Sequence, residues 1–227
     1  MVNNNNEIKK SIDNRAGKFF DAFANTFDTL YEKQRNPLMR IIDHYFRSDI
    51  ELRFKKTFGS FGRLDGKTIL DIGCGSGVYL KYALDNDAKM VSGIDPAPNM
   101  LKISQERLND KSYENKYELI EGAFLDLTIE KKYDHVIVMG VMDYIEHPIE
   151  FLSGLKKVLN GSAAISFPSK HWFRTPIRNF RYKLRNCPVY FYNEKIITSL
   201  LTDSGFSNFE INKIPGAGMD YQVSVYK

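Results

Sequence analysis

The sequence predicts an α/β domain built on a parallel sheet with helices on both faces, and three observations carry that expectation. From Thr68 to Phe167, short apolar runs alternate with amphipathic stretches, the texture of repeated strand–helix–strand units. A glycine-rich turn, Gly73-Cys74-Gly75-Ser76-Gly77, closes the first apolar run and opens the first amphipathic one. Aspartates, Asp71 and Asp95, stand at the ends of the first two runs.

The elements follow in order. The Asn run at positions 3 to 6 reads as a disordered lead. Phe20, Phe23, Ala24, Phe27 and Tyr31 then recur at helical spacing. Asn36-Pro37 looks like a cap followed by a first-turn proline, and Leu38, Ile41, Ile42, Tyr45 and Phe46 form an apolar stripe behind it. Roughly the first 60 residues are therefore expected to be two helices, with Gly59 to Gly66 breaking the pattern. Strands are expected at Thr68–Ile72, Met90–Asp95, Tyr117–Glu121, His135–Gly140 and Ala163–Phe167, with helices near Val78–Asp85, Pro98–Asn109 and Ile149–Leu159 between them. After Phe167-Pro168 the alternation stops, and residues 169–193 are basic and aromatic. A helix over Glu194–Ser204 and two closing strands, Phe209–Ile214 and Tyr221–Tyr226, complete the chain. The expected organisation is an N-terminal helical lid (1–64) and a core (65–227) that carries a basic, aromatic cap insertion (168–193).

Composition narrows the class. The 227 residues are 43% hydrophobic and 26% charged, the proportions of a globular protein with a sizeable core. No apolar run approaches the roughly 20 residues of a membrane-spanning helix, and MVNNNNEIKK lacks the apolar core of a secretory signal. Only Cys74 and Cys187 occur, which fits a reducing cytoplasm. The four His are scattered, so no metal site is expected. A net charge of +4 is too weak to announce nucleic acid by itself.

The glycine turn is the most informative segment. Glycines at a strand end let the backbone approach a ligand closely and open a helix. The dinucleotide fingerprint wants a small residue at its sixth position, whereas Val78 stands there and Gly77 comes one place early. Asp71, just before the turn, suits a ligand with an amino group better than a pyrophosphate. Asp95 can accept hydrogen bonds from two ribose hydroxyls, or it can simply cap the helix that begins after Pro96. Met100, inside that helix, is placed to flank an adenine ring.

The runs LDIGCGSG, GIDPAPNMLKIS and YDHVIVMGVMDYIEHPIEFL resemble the class I S-adenosylmethionine-dependent methyltransferases over roughly Lys67 to Phe167. The resemblance implies a Rossmann-like, seven-stranded, mostly parallel sheet whose last strand is antiparallel, entered through an N-terminal helical lid. It also implies S-adenosyl-L-methionine as cofactor and S-adenosyl-L-homocysteine as product. Gly73, Gly75 and Gly77 would pack against the methionine part, Asp71 would hold its amino group and Asp95 would clasp the ribose. Gly140 and Val141 would lie beside the sulfonium. Where the family often has an acid for the adenine amino group this chain has Ala123, and the backbone of Phe124 is left to serve.

Methyl transfer needs alignment and exclusion of water, and a general base only if the acceptor arrives protonated. His147 is the best-placed titratable group, as a base, as a positioning donor, or as a solvent-facing residue at a helix start. FFDAFANTFDTLYE, with Asp143 and His147, resembles the magnesium-protoporphyrin methyltransferases. In that family a lid tyrosine and a histidine, matching Tyr31 and His147, support transfer to a carboxylate. Residues 170–185 contain no acid, and Arg174 and Arg178 among them are suited to grip an anion, the alternative being a solvated basic helix. The leading expectation is O-methylation of a small anionic molecule, with nucleic acid an unlikely partner. An RNA methyltransferase using the same basic segment is the alternative, and a binding protein without turnover the third reading.

Overall fold

The computed structural model describes residues 52–169, 189–214 and 221–227. The expected N-terminal helices with Tyr31, the basic residues Arg174 and Arg178, and the turn at Pro215-Gly216 lie outside the described residues.

Seven strands form one sheet in the order β3-β2-β1-β4-β5-β7-β6. They are β1 (Thr68–Ile72), β2 (Met90–Asp95), β3 (Tyr117–Glu121), β4 (Tyr133–Val138), β5 (Leu159–Phe167), β6 (Asn208–Lys213) and β7 (Tyr221–Tyr226). The first five pair in parallel, and β7 lies antiparallel between β5 and β6. The sheet is the Rossmann-like, mostly parallel one expected, with its last strand reversed. The helices are α1 (52–61), α2 (Val78–Asp85), α3 (Pro98–Arg107), α4 (Pro148–Val158) and α5 (Glu194–Asp203). No described helix is long and apolar enough to cross a membrane.

Alternation along the central strands separates two cores. Ile69, Ile137 and Ala164 face a cluster with Phe58 and Phe61 of α1 and Leu80, Ala83 and Leu84 of α2. Leu70, Val136, Val138, Ala163 and Ile165 face the other way, onto Phe151, Leu152 and Leu155 of α4 and Ile197 and Leu201 of α5. Burial of each such side chain is worth about 1.5–3 kcal/mol, so both helical layers are firmly held. Phe58, Phe61 and Leu64, ahead of β1, belong to this core.

Three differences from expectation have local causes. The first helix runs through Gly59 to residue 61, because a Cβ at 59 would meet nothing; it ends at Gly62, whose φ of +71° breaks it. β5 begins at Leu159 rather than Ala163, since α4 feeds straight into it. The Asn160-Gly161 pair resembles a turn, but a Cβ at 161 would lie 2.5 Å from the Asp134 carbonyl oxygen at the β4–β5 register shift. β4 stops at Val138, and Gly140 turns away with φ +74°.

The chain moves outward from β1 through β2 to β3, then returns to place β4 on the other side of β1. The chain then leaves β1 and β4 toward opposite faces, opening a crevice at their carboxyl ends, where open α/β sheets bind ligands. Gly77 sets the start of α2. Its φ is +75°, and a Cβ there would sit 2.2 Å from Ser104 Oγ on α3. Gly77→Ala should therefore destabilise the fold by about 3 kcal/mol, combining overpacking with left-handed strain. Urea unfolding of the variant measures this directly.

Candidate functional site

The site grows from the end of β1. Gly73 and Cys74 both donate their N–H groups to Ile94 O, at 2.7 and 3.0 Å, and the Gly77 N–H closes the turn on Cys74 O at 2.9 Å. Gly75, with φ +52°, donates to Asp95 Oδ2 at 2.9 Å. Asp95 Oδ1 accepts from the Ala97 N–H at 2.9 Å, and the Asp95 carbonyl accepts from Gly122 N–H at 3.1 Å. The ends of β1, β2 and β3 are thus tied together through one residue. The helix-capping alternative for Asp95 gives way to this geometry, because the N-cap of α3 is Ala97 and the carboxylate bridges two loops.

Asp71 lies on β1 between Gly93 of β2 and Ile137 of β4. It is 2% exposed, and its Oδ2 has no hydrogen-bond partner among the described residues. Burial, reinforced by the Asp95 charge, pushes its carboxyl up to about 8. Burial also pushes the Cys74 thiol well up, with Asp71 and Asp95 adding to it, so Cys74 stays an un-ionised thiol and not a nucleophile.

The three glycines differ in what they face. A Cβ at Gly73 would strike Val141 Cγ2 at 2.4 Å, so this glycine lets the β1 and β4 turns touch. Gly77 faces Ser104, which makes its Cα side a helix-packing surface rather than a ligand wall. At Gly75 and Gly140 a Cβ would meet nothing within 4 Å. Open space at these two positions lines the crevice from both strands.

Around this centre, Pro96 is half-buried and Met100 is packed with Ala97 beneath the start of α3. Ala123 precedes a single 3₁₀ turn, and the Phe124 ring goes into the core edge-on to Phe151, 5.2 Å between centroids. Only the Phe124 backbone is therefore available at the crevice. His147 is exposed, at the N-cap position of α4, with no side-chain capping bond.

Several contributors were not singled out from sequence. Ser166 Oγ accepts from the Gly140 N–H at 2.7 Å and so fixes the β4 turn. The Tyr190 N–H donates to Asp143 O at 2.8 Å, and the Tyr192 N–H to Pro168 O at 2.8 Å. The Tyr192 hydroxyl donates to Met142 O at 3.1 Å. Burial, with a contribution from Tyr190, pushes that phenol up to about 12, so it keeps the proton it donates. A bridge between Ser169 and Tyr192 completes a clasp beside the loop after β4. The signal was the aromatic alternation of Tyr190-Phe191-Tyr192, hidden behind the basic run. Among the described residues no cluster of three or more His, Cys, Asp or Glu is arranged to hold a metal.

Residues 70–163 match the family model described as a methyltransferase domain. The matched stretch contains the glycine turn, Asp71 and Asp95, the residues that resemble the class I S-adenosylmethionine-dependent methyltransferases.

Among relatives, the chain is 33% identical over 122 residues to a tRNA U34 carboxymethyltransferase of Idiomarina loihiensis, covering 52% of this chain and 36% of that protein. It is 28% identical over 177 residues to the tRNA U34 carboxymethyltransferase of Mannheimia succiniciproducens, covering 74% and 53%. The chain thus spans about half or less of the length of these relatives. A solved structure of magnesium protoporphyrin IX methyltransferase from Synechocystis PCC 6803, with S-adenosylmethionine bound, superimposes with a TM-score of 0.72 at 20% identity, covering 94% of this chain and 97% of that one.

Asp95→Ala should leave the Gly75 and Ala97 N–H groups without their carboxylate. The expected loss is about 1.5–3 kcal/mol of stability, the range for hydrogen bonds to a charged group. Denaturant unfolding monitored by fluorescence is the check.

Proposed function

We propose that the protein transfers a methyl group from S-adenosylmethionine to an oxygen of a small anionic molecule. The observation that supports this most is the pair of buried carboxylates flanking a glycine turn at the point where the strand order reverses. The residues fit the cofactor: Asp71 has a buried oxygen without a partner among the described residues, of the kind an ammonium group satisfies, and Asp95 stands at the end of the second strand, where a ribose would lie. Gly75 and Gly140 leave room, and the Phe124 backbone would meet the adenine edge beside Ala123. Pro96 and Met100 would form the apolar wall, with Gly73 and Gly77 shaping the turn and Val141 next to the reacting end. When bound, the cofactor supplies a methyl group on positively charged sulfur.

The chain's own part is alignment. The clasp formed by Ser169, Tyr190 and Tyr192 pins both ends of the basic stretch beside the loop after β4. Arg174 and Arg178 are the proposed anion grip, and Tyr31 the proposed lid residue. His147 would take a proton from a hydroxyl acceptor; with a carboxylate or phosphate oxygen it has none to take and only positions. A cytoplasmic setting goes with this reading.

The relatives named tRNA U34 carboxymethyltransferase favour a second reading, an RNA acceptor held by the same basic stretch. Incubation with methyl-labelled cofactor, offering fractionated metabolites and bulk tRNA in parallel, tests both. Label in a small product supports the first reading. Label in tRNA, lost steeply as salt rises, would replace it with the second.

Gly75→Val has space for its Cβ but is strained by the φ of +52°, so it should fold with reduced stability and lose S-adenosylhomocysteine binding in calorimetry below its melting temperature; normal binding would remove the turn from the site. With an acceptor in hand, His147→Ala should slow single turnover less than a general base's loss of roughly 10²–10⁴-fold, with cofactor binding unchanged. Arg174→Ala and Arg178→Ala should raise the acceptor KM more than they lower kcat.

A further inference from the structure

Asp71 presents an unusual combination. It occupies a central strand, it is 2% exposed, and its Oδ2 accepts nothing from the described residues. The nearby Asp95 carboxylate is by contrast committed to two N–H groups. Burial and the charge of Asp95 both work against a second negative charge at Asp71.

Among the described residues, the titratable groups of the neighbouring elements are engaged elsewhere or lack charge. Lys81 of α2 is bonded to Asp85 and Tyr113. His135 of β4 is bonded to Ser162, stacked on Phe61, and held neutral by burial. Cys74 in the turn remains a thiol. Among the described residues no cation acts on Asp71; the charge acting on it is that of Asp95.

We propose that the Asp71 carboxyl holds a proton in the free protein and surrenders it when a ligand's ammonium group arrives, so that this site selects amino-acid-bearing thioethers by exchanging a proton for a cation. The inference rests on the S-adenosyl reading of the site and adds to it a proton. One O–H bond breaks at Asp71, the proton leaves to solvent, and the ammonium keeps its own three. The carboxyl's position near 8 means that the exchange accompanies binding at neutral pH and below. Ligands that carry the adenosine and the sulfur but no ammonium have nothing to exchange.

Two probes separate the parts: S-adenosylhomocysteine, which has the amino acid, and 5′-methylthioadenosine, which lacks it. Titration calorimetry at pH 6.5, in buffers of low and high ionisation enthalpy, counts protons. Wild type should release about one proton per S-adenosylhomocysteine, and affinity should rise about tenfold per pH unit from 6 to 7.5. Binding of 5′-methylthioadenosine should release none and stay flat with pH. Asp71→Asn should abolish the release with S-adenosylhomocysteine.

Should that variant bind too weakly to titrate, its melting temperature carries the comparison. A carboxyl raised in the folded state above its unfolded value lowers stability progressively as pH rises between the two. The free Asp71→Asn protein should therefore melt above wild type, by a margin that widens from pH 5 to pH 8. No proton release in wild type, equal release with both probes, or release retained in Asp71→Asn would each overturn the proposal. A constant melting difference would do the same where the variant does not bind. Failure of S-adenosylhomocysteine to bind at any pH would instead remove the cofactor reading beneath it.

Discussion

The Asp95 carboxylate is the constraint on which the site depends. Its two oxygens hold the N–H groups of Gly75 and Ala97, which belong to loops after different strands, while its carbonyl holds Gly122 from a third. A charged acceptor forms stronger hydrogen bonds than a neutral one, so the turn after β1 is fixed in position before any ligand arrives. The glycine turn could not adopt its succession of left-handed residues from local preference alone. The neighbouring strand supplies the acceptors, Ile94 O and Asp95, that hold it there.

Sheet topology turns this local order into a crevice. Because β1 and β4 are neighbours whose following helices lie on opposite faces, their turns diverge, and Gly73 lets the first turn approach Val141 in the second. Ser166 then anchors the β4 side as Asp95 anchors the β1 side. Both walls are held by bonds to adjacent strands, and alignment of two reactants requires that kind of rigidity.

Much of this was readable beforehand, for identifiable reasons. The bounds of β1, α2, β2 and β3 fall where periodicity and the glycine turn put them, since each ends in a change of chemistry: an acid, a glycine or a proline. Asp71 and Asp95 were legible because carboxylates at the ends of buried strands have no generic packing use. β5 starts earlier than the expected Ala163 because Gly161, a glycine admitted by a register shift, carries no strand signal in sequence. Gly77 looked like part of a ligand cradle because sequence cannot distinguish room for a ligand from room for Ser104. Ser166 and Tyr192 were invisible, since their importance lies in partners 26 and 50 residues away.

The clasp between Ser169 and Tyr192 has an evolutionary consequence. It brings the two ends of the intervening stretch together on an isolated bridge just past the end of β5, so that stretch is a cassette. Its length and composition can change while the strands beneath keep their register, because the entropy of closing a longer loop grows only slowly, about 0.6 kcal/mol per doubling. The residues proposed to hold the cofactor lie outside that stretch, in 71–141. A chain built this way can acquire a new acceptor by exchanging one segment, and a laboratory graft between the same two anchor residues would exploit the same freedom.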